Sequence, residues 1–151
     1  MKFIIKSVLL LLLGHALVFV AFTTKAEDKV SLLVNIGSKH FNKNDFIVPP
    51  KEFNPGVGFE YIINSNYYYT GGIFRNSFDE TSLYIASGYK KEIWNTYIGV
   101  EAGYISGYNS PDKQPPKSRL LRKNIIIAPY ILVDKIKLFY LGDSIAVQAR
   151  F

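Results

Sequence analysis

The sequence predicts an all-β protein, an eight-stranded antiparallel up-and-down outer-membrane β-barrel preceded by a signal peptide. Three observations support this prediction. Apolar residues alternate with small or polar ones in eight segments, as in strands that have one apolar face. The apolar sets are rich in Tyr and Phe, which number 11 each and resemble the aromatic girdles of membrane barrels. The chain also begins with an export-like segment.

The first residues have the charge and hydropathy order of a secretory signal peptide. Lys2 and Lys6 precede a long apolar run, and Thr24 and Ala26 fit the small-residue pattern of a cleavage site. An uncleaved membrane anchor is the alternative, because the apolar run approaches the length of a membrane span. We predict a signal peptide over residues 1–26 and a single barrel domain over residues 27–151.

The eight predicted strands account for most of the second region. A soluble β-sandwich also alternates, but the inner faces here carry many Gly and few large aliphatic residues, which suits a narrow lumen. The predicted strands are Val30–His40, Gly56–Asn64, Tyr67–Asn76, Ser82–Lys90, Asn95–Tyr108, Asn124–Val133, Lys135–Leu141 and Ser144–Phe151.

The connections between these strands differ in length. The first, Phe41–Pro55, and the fifth, Asn109–Lys123, are long and contain proline, whereas several others are very short. Bacterial barrels carry longer loops outside and short turns in the periplasm, so every odd-numbered connection is predicted to lie outside. The chain ends in an alternating strand with Phe151, which resembles the signal that the barrel-assembly machinery recognises.

The composition excludes several classes of site. The chain has no Cys, which excludes disulfides, thiolate metal sites and a lipid-modified cysteine. Three of the 18 basic residues lie in the signal peptide, so the net charge of +6 is a weak argument for nucleic acid. The sequence shows no Gly-rich phosphate loop, metal-ligand cluster or usable carboxylate pair. We therefore predict no cofactor, no metal and no nucleic-acid partner.

The predicted topology brings two short segments, "SKHF" and "FRNSF", to the same rim, because the first and third strands both run outward. An imidazole takes up a proton near neutral pH, so His40 and Ser77 are candidates for acyl chemistry. The alternatives are a rim histidine that contacts water or lipid phosphate, and a turn that Asn76 and Ser77 cap. Strict alternation turns His40 toward lipid unless the strand changes phase near Gly37–Ser38.

Arg75 and a basic loop are the remaining charged features. Ser77 is in phase with Ile73 and Arg75, so Arg75 is predicted to face the lumen, where it pairs with Glu60 or Glu101 or holds a phosphate. The fifth connection is either a solvated loop or a surface that attracts lipopolysaccharide phosphates, and it has no aromatic residue on which nucleic-acid bases could stack. Its basic residues are Lys113, Lys117, Arg119, Arg122 and Lys123.

An ordered set of short motifs runs through the second region. In chain order they are "SKHF", "NPGVGFE", "GGIFRNSF", "IASGY", "GYISGY", "IIIAPY" and "VQARF". This set resembles the lipid A palmitoyltransferase (PagP) family. The resemblance implies a small eight-stranded outer-membrane barrel that moves a palmitoyl chain from a phospholipid to lipid A.

The resemblance also implies roles for individual residues. It places the family's catalytic His on His40, its Asp–Ser pair on Asn76 and Ser77, and the Gly at the floor of its acyl-chain pocket on Gly88. Pro129 matches a proline that interrupts strand pairing and leaves a lateral route for lipid, since proline has no N–H to donate. Asn76 stands where the family has Asp, and an amide cannot offset the charge of a developing imidazolium. The family's amphipathic helix before the first strand has no room here.

The predicted function is acyl transfer in the cell outer membrane. A monomer would move a palmitoyl-type chain from a phospholipid to a hydroxyl of lipid A in lipopolysaccharide, with His40 as general base and Ser77 and Asn76 as positioning or oxyanion groups. The alternative is a non-enzymatic small barrel with a structural, adhesion or barrier role, filled by a polar plug of Arg75, Glu60 and Glu101. A third possibility is a soluble periplasmic barrel that binds a lipid.

Overall fold

Eight antiparallel strands close into a barrel in the computed structural model, which describes residues 29–42, 49–108 and 123–151. Each strand pairs with the next along the chain, and β8 pairs with β1. The predicted fold is confirmed, and every strand end lies within three residues of its predicted position. The strands are β1 (Val30–His40), β2 (Phe53–Ile62), β3 (Tyr67–Arg75), β4 (Thr81–Ile93), β5 (Thr96–Ile105), β6 (Ile125–Val133), β7 (Ile136–Tyr140) and β8 (Ser144–Arg150).

Three predicted features lie outside the described residues. They are the signal peptide, the middle of the first connection and most of the basic fifth connection, so the predictions for them stay predictions. The described part of the chain contains no helix of the length and apolarity that crossing a membrane requires.

The apolar face of each strand points outward. On β6 Ile127 and Ile131 are exposed, whereas Ala128, Tyr130 and Leu132 between and beside them are buried. This pattern is the reverse of a β-sandwich, in which the larger aliphatic set of a strand packs inward. The apolar face of this strand therefore points outward, as a membrane barrel requires.

Exposed aromatic side chains lie near both ends of the barrel, with aliphatic side chains between them. Such a band with flanking aromatic residues is typical of barrels that sit in hydrocarbon. The exposed aromatic residues toward the short-turn end are Tyr61, Tyr67, Tyr69 and Tyr89, and those toward the opposite end are Phe41, Phe53, Tyr104 and Tyr140. The exposed aliphatic residues between them include Val57, Ile73, Leu83, Ile85, Ile98, Val100, Ile127 and Leu138.

Charged side chains fill the lumen toward the short-turn end. Glu60 accepts hydrogen bonds from Lys137 at 2.9 Å, Lys90 at 3.2 Å and Arg150 at 3.0 Å. Lys137 also donates to Glu101 at 2.8 Å, and both Glu60 and Lys137 are completely buried. Two carboxylates and three cations therefore form one network, which we call the ion cluster.

The predicted pairing of Arg75 inside the barrel is wrong. Its guanidinium is about half exposed and lies 3.3 Å from Asp79 on the outer side of the wall. The cause is the phase of β3, on which Thr70 is buried and Ile73 is exposed, so Arg75 follows Ile73 outward. Ser77 lies beyond the end of β3, where the chain turns, and its burial no longer follows that phase.

β1 changes phase at a bulge. Asn35 and Gly37 pair with consecutive residues of β8, so Ile36 is an extra residue in β1. Before the bulge Leu33 points inward and is buried, and after it His40 does so with 8 % of its surface exposed. The phase change that the sequence required for an inward His40 is therefore present, between Asn35 and Gly37.

Candidate functional site

The half of the barrel opposite the short turns contains a hollow that opens at the rim. It holds about 970 Å³ of empty space, counting its open mouth, and its walls are mostly apolar. All eight strands contribute to it, as do the segments that follow β3, β5 and β7. Among its lining residues are His40, Phe74, Ser77, Phe78, Tyr84, Ile105, Tyr108, Ile126, Phe139, Ser144, Ala146 and Gln148.

His40 and Ser77 meet at the mouth of this hollow. The Nε2 atom of His40 and the hydroxyl oxygen of Ser77 are 3.4 Å apart, and both residues are more than nine-tenths buried. The bulge in β1 turns His40 inward, and the turn after β3 places Ser77 beside it. The structure therefore brings together two of the three predicted catalytic side chains at hydrogen-bonding distance, although the contact is long.

Asn76, the third predicted catalytic residue, shapes the turn that carries Ser77. Its amide oxygen accepts hydrogen bonds from the backbone N–H groups of Phe78 and Glu80, at 2.9 and 3.0 Å. Its amide nitrogen donates to the Ser82 hydroxyl and to the Gly107 carbonyl. With 1 % of its surface exposed, Asn76 has its amide engaged inside the protein and turned away from the hollow's contents.

We expect Asn76→Asp, which installs the residue of the resembling family, to destabilise the barrel by about 1–3 kcal/mol. A carboxylate keeps the two accepted hydrogen bonds but loses both donated ones, and it places a negative charge against the Gly107 carbonyl. The measurement is denaturant unfolding in lipid vesicles. Asn64→Asp is the matched control, because Asn64 is exposed and its side-chain oxygen accepts hydrogen bonds from the backbone N–H groups of Asn66 and Tyr67, which a carboxylate can also do. Equal stability of the two variants would contradict this account of Asn76.

Two residues of the mouth, Asp143 and Ser144, were not predicted from the sequence. Ser144 begins β8 directly opposite His40 in the register, and 3 % of it is exposed. The carbonyl of Asp143 accepts a hydrogen bond from the N–H of Phe41, the residue after His40, and Asp143 lines the hollow. The seventh connection is odd-numbered and therefore belongs to the same rim, a signal that could have pointed to both residues.

A second set of contacts ties the Ser77 turn to its surroundings. The Ser77 carbonyl accepts a hydrogen bond from the Lys51 N–H at 2.8 Å, and the Tyr108 hydroxyl contacts the Ser77 backbone. Burial raises the pKa of Tyr108, so its hydroxyl stays protonated near neutral pH. Asp79 accepts a hydrogen bond from the Lys51 ammonium and pairs with Arg75. The hydrogen bond from Lys51 lowers the pKa of Asp79. The contact between Lys51 and Asp79 is therefore kept until the pH falls below that lowered pKa.

Gly88 faces the lumen but does not line the hollow. A Cβ atom at this position would collide with the ring of Tyr68, which occupies the space in front of Gly88. The Tyr68 hydroxyl donates to Glu101 at 2.9 Å and lies 2.7 Å from the Tyr130 hydroxyl. The position predicted to be the floor of an acyl pocket is therefore already covered by a side chain of this protein.

Pro129 lies where the pairing of β6 with β7 stops. The register of these strands covers four pairs, from Tyr130 with Phe139 to Val133 with Ile136, so Ile125–Pro129 has no partner on β7. On its other side β6 remains paired with β5 as far as Ile125. Proline has no N–H, and it stands at the first unpaired position. The wall consequently has a gap between β6 and β7, in the half of the barrel that contains the hollow.

Comparisons with known proteins add no family to these observations. No protein-family model matches the chain. A search of curated proteins finds no significant match either. Within residues 29–42, 49–108 and 123–151, no group of three or more His, Asp or Glu side chains is arranged to hold a metal ion. The functional argument therefore rests on the hollow, its mouth and the gap in the wall.

Proposed function

We propose that this protein is an acyltransferase of the bacterial outer membrane, which moves a fatty acyl chain from a phospholipid to a hydroxyl group of lipid A. The observation that carries the proposal is the 3.4 Å contact of His40 with Ser77 at the mouth of a mostly apolar hollow. A base beside a hydroxyl supplies acyl-transfer chemistry, and an apolar cavity suits a hydrocarbon chain. Asn76 contributes by holding Ser77 in place.

The outer surface of the barrel supports the membrane location. An aliphatic band with flanking aromatic residues is unfavourable in water, because it exposes far more contiguous apolar surface than a soluble monomer does. In a bilayer the same band contacts hydrocarbon and the tyrosines reach the headgroups. The band therefore supports a membrane barrel over the soluble periplasmic one, with the mouth of the hollow at one face of the membrane.

The proposed reaction needs one proton carrier and one oxyanion donor. The oxygen of the acceptor hydroxyl attacks the ester carbonyl of the phospholipid while its proton passes to His40 Nε2. The Ser77 hydroxyl donates a hydrogen bond to the oxyanion that forms. The carbon–oxygen bond to the glycerol unit then breaks, and His40 returns the proton to the leaving alkoxide. Asp143 lines the same hollow and places a carboxylate near this mouth.

The gap between β6 and β7 supports a route for the donor. A phospholipid in the adjacent leaflet can pass its chain sideways into the hollow, because no strand pairing closes the wall beside Ile125–Pro129. The headgroup stays at the membrane surface, where the ester comes level with the mouth. Entry through the wall avoids lifting the whole chain through water, which would expose its apolar surface.

Mass spectrometry of lipid A tests the proposal. Expression of the protein in a bacterium with an outer membrane should add one acyl chain to lipid A, and cells with an empty vector should lack that product. The rival reading is a non-enzymatic barrel, which the ion cluster favours because it fills the lumen as a plug would. An unchanged lipid A profile, with the protein folded in the outer membrane, would select that rival.

A further inference from the structure

Hydrogen-bonded side chains cross the barrel between the mouth of the hollow and the ion cluster. The Gln148 amide donates to the Asn35 amide oxygen at 2.6 Å and to the Tyr84 hydroxyl at 3.3 Å. β4 and β8 are four strands apart in a ring of eight, so they stand on opposite walls. The contact between Tyr84 and Gln148 therefore joins these two walls, with the Tyr84 side chain lying along the inner face of β3 and β2. We call Asn35, Tyr84 and Gln148 the polar bar.

The wall fixes the position of Tyr84 in this bar. A Cβ atom on Gly58 would lie 2.5 Å from the Tyr84 hydroxyl, and one on Gly72 would lie 2.8 Å from its ring. The ring also packs edge-on against Phe74, with centroids 6.1 Å apart. The two glycines leave space for the Tyr84 side chain and Phe74 packs against its ring, so the position of Tyr84 in the bar is fixed by its surroundings.

The bar limits the depth of the hollow. Gln148 lies four residues along β8 from Ser144, which is opposite His40 at the mouth. At about 3.4 Å per residue and a strand tilt of about 40°, the bar lies roughly 10 Å below the mouth, or about 14 Å along the wall. Carbon–carbon bonds of about 1.5 Å advance an extended chain by about 1.3 Å per carbon. A chain of about eight to eleven carbons therefore reaches the bar.

Neither the bar nor the space below it offers room for more chain. The side-chain carbonyl oxygen of Gln148 has no hydrogen-bond partner among the described residues. The terminal methyl group of an acyl chain pressed against this oxygen would keep it from any partner, which is unfavourable. Glu101, which belongs to the ion cluster, lines the hollow together with the bar, and beyond it Tyr68 covers Gly88. A longer chain would have to displace buried, hydrogen-bonded groups.

We infer that the hollow selects acyl chains of about ten carbons, and that Gln148, held by its hydrogen bond to Tyr84, sets this limit. The inference rests on the proposed function for the identity of the ligand as an acyl chain. It differs from the sixteen-carbon chain that the family resemblance implies, because this chain carries Tyr68 over Gly88 and a bar above it.

A competition among donors tests the limit. The purified full chain is reconstituted in vesicles with lipid A and an equal mixture of phosphatidylcholines that carry ten-, twelve-, fourteen- or sixteen-carbon chains. Mass spectrometry of the product should show ten-carbon transfer at least tenfold above sixteen-carbon transfer. Gln148→Ala should shift the product toward longer chains. Ser87→Ala, on the exposed outer face of β4, should leave the length unchanged. A wild-type preference for sixteen carbons would overturn the inference.

A binding measurement separates this inference from the proposed function. Alkyl phosphocholines of ten, twelve and sixteen carbons are added to the protein in a neutral detergent, and the temperature of unfolding is followed by electrophoretic mobility. The shorter chains should raise that temperature by several degrees more than the longest one, and Gln148→Ala should remove the difference. If no chain is transferred but this ranking holds, the enzyme proposal fails and the length limit stands. Equal effects of all chains on the unfolding temperature would contradict the length limit and leave the enzyme proposal standing.

Discussion

Replacing His40 by Ala is expected to lower acyl transfer to lipid A by about 10²- to 10⁴-fold. The loss follows from the removal of the imidazole that lies beside Ser77 at the mouth, since the acceptor hydroxyl would then have to lose its proton to water. Binding of the proposed acyl chain should change little, because the apolar walls below the mouth are left intact. The expected signature is therefore a fall in kcat with KM for the phospholipid nearly unchanged.

The measurement is the rate of acyl transfer in vesicles, with folding checked by heat-modifiable migration. Lys39→Ala is the matched control, because Lys39 neighbours His40 on β1 but is mostly exposed and pairs with Glu52. This variant should keep the wild-type rate. A folded His40→Ala protein with wild-type activity would remove His40 from the mechanism and leave the hollow without its chemistry.

The fold could be predicted from the sequence because its determinants are local. Outward residues such as Ile127 and Ile131 alternate with inward ones such as Ala128, so the strand and its orientation follow from a period of two. The location of His40 and Ser77 at the same rim followed from topology, since odd-numbered connections of an up-and-down barrel share a rim. Neither step requires knowledge of which side chains touch.

The remaining details depend on tertiary contacts that no local pattern records. The bulge at Ile36 exists because β8 fixes the register on both sides of it, and only that register turns His40 inward. Arg75 was assigned to the lumen by extending the phase of Ser77 backward, although the chain changes direction between the two residues. The cations that meet Glu60 come from β4, β7 and β8, so their convergence appears only when the barrel closes.

Replacing Glu60 by Gln is expected to destabilise the barrel by about 3–5 kcal/mol. Within the ion cluster three cations face two carboxylates, and Glu60 contacts all three cations. Removing its charge leaves Lys90, Lys137 and Arg150 with Glu101 as the remaining carboxylate of the cluster. Buried cations without a counter-charge are costly, because the lumen side chains around them replace little of the solvation that water supplies.

Lys137→Met separates this electrostatic explanation from simple loss of packing. Lys137 is completely buried and lies over the rings of Tyr68 and Tyr130, so its removal disturbs at least as much packing as Glu60→Gln does. It leaves two cations with two carboxylates, however, and a flexible apolar chain fills the space. We therefore expect Lys137→Met to cost clearly less than Glu60→Gln in urea unfolding of the protein in vesicles. If the order is reversed, packing around Lys137 rather than charge balance around Glu60 holds this end of the barrel together.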